Sequence, residues 1–176
     1  MKTLHLLRHA KSSWDDAGLE DHDRPLSRRG RRDAAAMAAH VAATLPTLDL
    51  VLCSTARRSR ETLEPILAAH TPKRVVLERG LYLARSVALL DQLRAIEERL
   101  RNVLLIGHNP GLHELALALA DPRSVGALPP ITGKFPTAAL ASFRIAMSWR
   151  RLAPGTAALA AYATPRTLAA AAGPAE

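Results

Sequence analysis

The sequence predicts an α/β fold in three layers, helix–sheet–helix, around a mostly parallel central sheet with an antiparallel pair of strands late in the chain. Two observations predict it. Short apolar runs alternate with longer helical patterns four times before Leu119, and two further apolar runs after Pro136 follow one another with no long helix between them. The first pattern is that of parallel strands joined by crossover helices, and the second permits direct antiparallel pairing.

Thr3–Leu7 reads as a buried strand. Ser27 is placed to cap a helix running to about Leu45, where Ala34, Met37, Val41 and Leu45 recur at helical spacing and Pro46 ends the run. Leu48–Cys53 is a second strand, followed by a helical segment from Arg57 to His70 that Pro65 is expected to kink or split. Arg74–Leu77 is the third strand. The helix after it carries Leu89, Leu93, Ile96 and Leu100 on one face. Asn102–Ile106 is the clearest buried strand. In the Gly107–Gly111 stretch GHNPG, Asn109 is placed as a cap and Pro110 as the first helical residue, with Leu112, Leu115 and Leu119 as the apolar face that follows. Asp121-Pro122-Arg123 stops that pattern. A Gly/Pro loop, Gly126 to Pro136, leads to the strands Ala139–Ile145 and Ala157–Ala163. Residues 1–167 are expected to form one domain, and 168–176, rich in alanine, a fraying tail.

Composition narrows the function. Of the 176 residues, 48% are hydrophobic but only 3% aromatic, so Ala, Leu, Val and Ile must build the core. No apolar run approaches the ~20 residues of a membrane helix. The first residues lack the continuous apolar region of a signal peptide, so a cytoplasmic location is the expectation. Cys53 is the sole cysteine, which excludes an internal disulfide framework and a multi-cysteine zinc site. Twenty-four Lys and Arg against 16 Asp and Glu give a net charge of +8 and favour anionic partners. Arginines cluster at 28, 29, 31 and 32 and again at 57, 58 and 60, where solvated helix faces are the ordinary explanation for most.

Ligands of open α/β sheets bind outside the carboxyl ends of the strands, so those ends are informative. The first strand ends in Arg8-His9. The second ends at Ser54, just before Arg57 and Arg58, and the fourth ends in Gly107-His108. Two histidines and at least two arginines thus converge on one sheet edge. A metal does not suit the set, because arginines repel cations and His108 and His113 stand ~140° apart on a helix. Phosphate does. Arginine forks pair with phosphate oxygens, a neutral imidazole can attack phosphorus, and a second, protonated imidazole can hold the charge that develops.

These residues resemble the histidine phosphatase, or phosphoglycerate mutase-like, superfamily. The resemblance rests on LxRH at the N-terminus, on Ser54-x-x-x-Arg58-x-x-x-Thr62 after the second strand, and on the late Gly107-His108. The stretches RPLSRRGRRDA, GHNPG and FPTAALA are similar to the small bacterial phosphohistidine phosphatases of the SixA type, which lack large substrate lids. The resemblance implies His9 as nucleophile, Arg8 and Arg58 as phosphate ligands and His108 as the second histidine, with no cofactor and no metal. Lys11, Ser12, Arg24 and Thr137 lie close to the motifs and are candidate substrate contacts. Arg57 and Arg60 are expected at the surface, and His5, His22, His40 and His70 have no motif position.

Two departures stand out. Ala10 replaces the glycine that commonly follows the histidine, a change of one methyl group. The carboxylate that many members supply after the third strand is missing from Leu77–Ser86, LERGLYLARS, where Glu78 falls early. An alkoxide leaving group needs a proton, and general acids commonly contribute ~10²–10⁴-fold. An imidazole leaving group needs less help, so phosphohistidine fits better than a sugar phosphate unless Asp15, Asp16 or Glu78 reaches the site. The implied partner is a phosphorylated protein, such as a histidine-phosphotransfer domain, or else a small phosphorylated molecule.

The rivals are weaker. Cysteine phosphatases carry Cys-x₅-Arg, and that spacing from Cys53 leads to Ser59. No P-loop motif occurs. A non-catalytic basic module for phosphoproteins or nucleic acid remains, but the scattered aromatics suit base stacking poorly, and no membrane role is expected.

Overall fold

In the computed structural model, residues 1–125 and 131–171 are described. Six strands form one sheet: β1 (Lys2–Arg8), β2 (Leu50–Ser54), β3 (Val75–Glu78), β4 (Asn102–Gly107), β5 (Leu140–Ile145) and β6 (Ala157–Ala163), in the order β3-β2-β4-β1-β5-β6. The first four are parallel. β5 pairs antiparallel with β1 and β6 antiparallel with β5. The helices are α1 (Arg28–Thr44), α2 (Arg57–Ala69), α3 (Ser86–Arg94), α4 (Gly111–Leu119), α5 (Pro122–Val125) and α6 (Pro165–Ala171).

Alternation along β4 explains the three layers. Val103 and Leu105 pack with Leu89 and Leu93 of α3 and Leu112 and Leu115 of α4. Leu104 and Ile106 turn to the other face and pack with Met37 and Val41 of α1 and Leu63 and Ile66 of α2. A strand buried on both faces must be apolar at every position, and β4 reads VLLI for that reason. None of the described helices is long and apolar enough to cross a membrane.

Four local expectations change. α3 ends at Arg94, short of Ile96 and Leu100. Tertiary bonds take over there, because the Glu98 carboxylate accepts the Trp149 and Arg150 N–H groups and pairs with Lys2 at 2.9 Å. α2 runs unbroken through Pro65. Asn109 does not cap α4; its amide donates to the Phe135 carbonyl at 3.0 Å. Leu168–Ala171, expected to fray, belong to α6, and Leu168 packs against the α1/α2 side of the core. Residues 172–176 of the expected tail, and residues 126–130 of the expected Gly/Pro loop, lie outside the described residues.

Candidate active site

The register of β1 against β4 sets Arg8 beside Gly107, so the chain leaves both strands together. The His9 N–H then donates to the Gly107 carbonyl at 3.1 Å, which places His9 beside His108 with ring centroids 4.9 Å apart. α2 brings Arg58 between them. Its Nε lies 3.4 Å from His9 Nε2 and its Nη2 3.4 Å from His108 Nδ1. These residues line a cleft of ≈ 330 Å³ at the carboxyl edge of the sheet, and Arg8, Lys11, Ser12, Arg24 and Thr137 line it too. All eight residues singled out from the sequence therefore meet in one place. Arg57 and Arg60 do not; both are exposed, and Arg57 pairs with Glu61 at 2.7 Å.

The Ser-x-x-x-Arg-x-x-x-Thr spacing has a mechanical reason. Ser54 and Arg58 flank His108, whose Nε2 lies 2.8 Å from Ser54 Oγ. One turn further along α2, Thr62 accepts the Ala10 N–H at 3.0 Å and donates to the Arg58 carbonyl at 2.6 Å. The motif thus ties both histidine loops to one helix. The loop after His9 also lies against α1 with no room to spare, since a Cβ on Gly30 would sit 2.0 Å from the Lys11 carbonyl oxygen. Gly111 permits a similar approach of α4 to Ala84.

Burial favours the neutral form of both histidines. His9 Nδ1 lies 2.7 Å from the Ala10 carbonyl, which only an N–H can satisfy, so Nε2 keeps its lone pair. Burial, opposed by that bond and aided by Arg58 and Arg8, lowers the His9 pKa to about 3. Burial first, then His9 and Arg58, lowers that of His108 to about 3. Arginine only donates, so His108 Nδ1 accepts from Arg58 and Nε2–H donates to Ser54. In this structure the His108 ring is thus held in its neutral form; the protonated form expected from the sequence belongs to the phosphate-bound state. Arg8 donates through Nη1 to the Phe135 carbonyl at 2.9 Å, and its buried Nε has no partner.

The candidate acids lie elsewhere. Glu78 accepts the Gly80 N–H at 2.9 Å, Asp15 bonds Ser13, and Asp16 accepts the Gly18 N–H; none lines the cleft. Among the described residues the cleft's carboxylate is Asp21, which sequence reasoning missed. Its Oδ2 accepts from Arg58 Nη2 at 2.9 Å and from the Tyr82 hydroxyl at 2.5 Å, and its Oδ1 accepts from Arg24 Nη1 at 3.3 Å. The Tyr82 bond and then Arg58 outweigh partial burial and hold its carboxyl below the usual range. The one available signal was its place three residues before Arg24. Trp14, Leu83 and Asn109 also line the cleft unannounced. Cys53 is buried, with its thiol pushed up to about 12 by burial. No group of three or more His, Cys, Asp or Glu residues able to hold a metal occurs among the described residues.

Known proteins share this family pattern and fold. The model of the histidine phosphatase superfamily (branch 1) matches residues 4–82, a span that holds Arg8, His9, Arg24 and Arg58. An uncharacterized protein of Mycobacterium tuberculosis is 40% identical over 166 residues, which cover 91% of this chain and 100% of that protein. A solved structure described as a candidate phosphohistidine phosphatase SixA from Agrobacterium tumefaciens superimposes with a TM-score of 0.79 at 30% identity, covering 93% of this chain and 98% of that one. A SixA candidate from Nakamurella gives 0.78 at 29% identity, covering 93% and 96%.

Proposed function

We propose that this chain, which belongs to the histidine phosphatase superfamily, removes the phosphoryl group from phosphohistidine on proteins, through a covalent intermediate on His9 and without a metal. That it is a phosphatase follows from the family; the substrate and the roles of individual residues are our reading. In that reading the chain through the end of α6 forms its one catalytic domain, four residues beyond the boundary expected at 167, and it works in the cytoplasm.

His9 Nε2, neutral and unprotonated, attacks phosphorus. The bond to the leaving nitrogen breaks and its electron pair departs with that nitrogen. Arg8, Arg58 and His108 hold the phosphoryl oxygens, and a bound dianion supplies the negative charge that lets His108 take up a proton. Water then attacks the phosphorus on His9 and releases phosphate. Lys11, Ser12, Arg24 and Thr137 serve as contacts around the phosphoryl group. Arg58 between the two histidines, with Arg8 lining the same cleft, disfavours a cation, which supports metal independence.

One observation carries the choice of substrate: the carboxylate of the cleft, Asp21, accepts bonds from two arginines and a tyrosine and has no proton to give an alkoxide. The test is phosphate release, with EDTA present, from a phosphorylated histidine-phosphotransfer domain and from an alkyl phosphate ester. Rapid, His9-dependent release from the first and feeble release from the second is expected. Equal or faster ester hydrolysis would overturn the substrate assignment.

A further inference from the structure

Resting on the proposed phosphohistidine reading, the geometry points to Asp21 as the residue that selects P–N over P–O substrates, by accepting a hydrogen bond from the ring N–H of the departing imidazole. Three donors from separate parts of the chain, Arg58, Arg24 and Tyr82, converge on this side chain, and all of them donate. A group surrounded in that way is a carboxylate. It is nonetheless not sealed off, because its side chain keeps 48% of its accessible surface. Oδ2 holds the two shorter bonds, whereas Oδ1 has only the 3.3 Å contact to Arg24 and can take another donor.

Arg58 sets the distance. Its Nε faces the attacking His9 Nε2 and its Nη2 faces Asp21, so the carboxylate stands one guanidinium away from the nucleophile along the cleft. His9 and Asp21 line the same cleft, and in the inferred complex the departing ring occupies its Asp21 end.

The chemistry of the two leaving groups then separates. In a phosphohistidine that carries a proton on its second ring nitrogen, breaking the P–N bond returns the electron pair to nitrogen and releases a neutral imidazole, with the proton unmoved. Without that proton an imidazolate must leave. A carboxylate beside the N–H holds the proton in place and favours the cationic ring. Toward an alkyl ester the same carboxylate acts in the opposite sense, since the departing oxygen becomes negative and Asp21 can neither protonate it nor tolerate it.

Asp21→Asn tests the assignment against an N-phosphorylated histidine peptide and p-nitrophenyl phosphate, whose phenolate leaves without a proton. Loosening of Arg58 lowers both rates, so the ratio decides. Loss of one charge-assisted hydrogen bond predicts that the kcat/KM ratio, peptide over ester, falls about tenfold or more. The alkaline limb of kcat on the peptide moves down by about one pH unit. Asp21→Glu, which keeps the charge, retains most of the ratio. An unchanged ratio and an unmoved limb would overturn the role of Asp21 while leaving the phosphohistidine reading intact. If Asp21→Asn folds poorly, wild type alone is decisive: its alkaline limb lies above the titration of the free phosphorylated ring followed by ³¹P NMR, and coincidence of the two would overturn the inference. A wild type inert toward the peptide sinks the substrate reading and this inference together.

Discussion

His5 lies within β1 and His9 just beyond its end, four residues apart and equally deep, with 2% and 7% of their surface accessible. Burial is the main cause of a lowered pKa in both, to about 4 for His5 and about 3 for His9. Neutrality therefore does not distinguish them. Their neighbours do. His5 faces Ser142 of the next strand at 2.8 Å, and its Nε2 has no partner. His9 has passed the carboxyl edge of the sheet, where Arg8, Arg58 and His108 share a cleft with it. A buried, neutral imidazole is thus not enough to make a nucleophile; what sets His9 apart is its Nε2 lone pair beside Arg58 at the edge of a cleft lined by arginines, where the proposed phosphoryl group would sit.

The largest effect that sharpens this contrast comes from exchanging the two histidines' fates. His9→Ala is expected to lower turnover at least about 10³-fold while the protein stays folded. His5→Phe is expected to leave kcat/KM within about threefold, because His5 touches nothing in the cleft. Steady-state phosphate release on both variants checks this, and similar losses would break the contrast. Arg58→Ala should cost about 10²–10³-fold, in the range of a lost oxyanion donor, and Arg58→Lys should rescue little because a point charge cannot replace the fork.

Thr62→Val probes how the site is held. It strands the Ala10 N–H and frees the Arg58 carbonyl, so stability should fall by about 1–2 kcal/mol in urea unfolding, with a smaller loss of rate than Arg58→Ala. The smallest effect is on pH dependence. The folded pKa values of His5, His9 and His108 all lie below the ordinary 6.5. The unfolded chain therefore binds more protons than the folded one as pH falls from about 6.5 toward 3, and stability, full above 6.5, is lost through that window. His5→Phe removes one of the three contributions, so its thermal midpoint should decline less steeply between about pH 6.5 and 4. A slope identical to that of wild type would show that His5 is not held neutral by burial.

What was legible in the sequence follows from topology. Strands fully buried on both faces announce themselves, and parallel order carries their ends to one edge, so Arg8, His9 and His108 were found from position. Arg58 was separated from Arg57 only by the family motif. Asp21 and the Tyr82 that bonds it were not found, because they stand 37 and 24 residues away from Arg58 on elements with no periodicity. The family pattern also directed attention after the third strand, to Glu78, whose carboxylate is occupied by the Gly80 N–H. The overlong reading of α3 failed for a similar reason: Glu98 answers to Trp149 and Lys2, partners that local spacing does not reveal.

The central claim is that His9 Nε2 carries the phosphoryl group between two chemical steps. Rapid acid-free quenching of enzyme mixed with ³²P-labelled phosphohistidine peptide, followed by proteolysis and mass spectrometry, tests it most directly. Label on the peptide containing His9, stable in alkali, lost in acid and absent from His9→Ala, is the predicted result. Full turnover with no label on His9 at any time point, or label retained in His9→Ala, would contradict it.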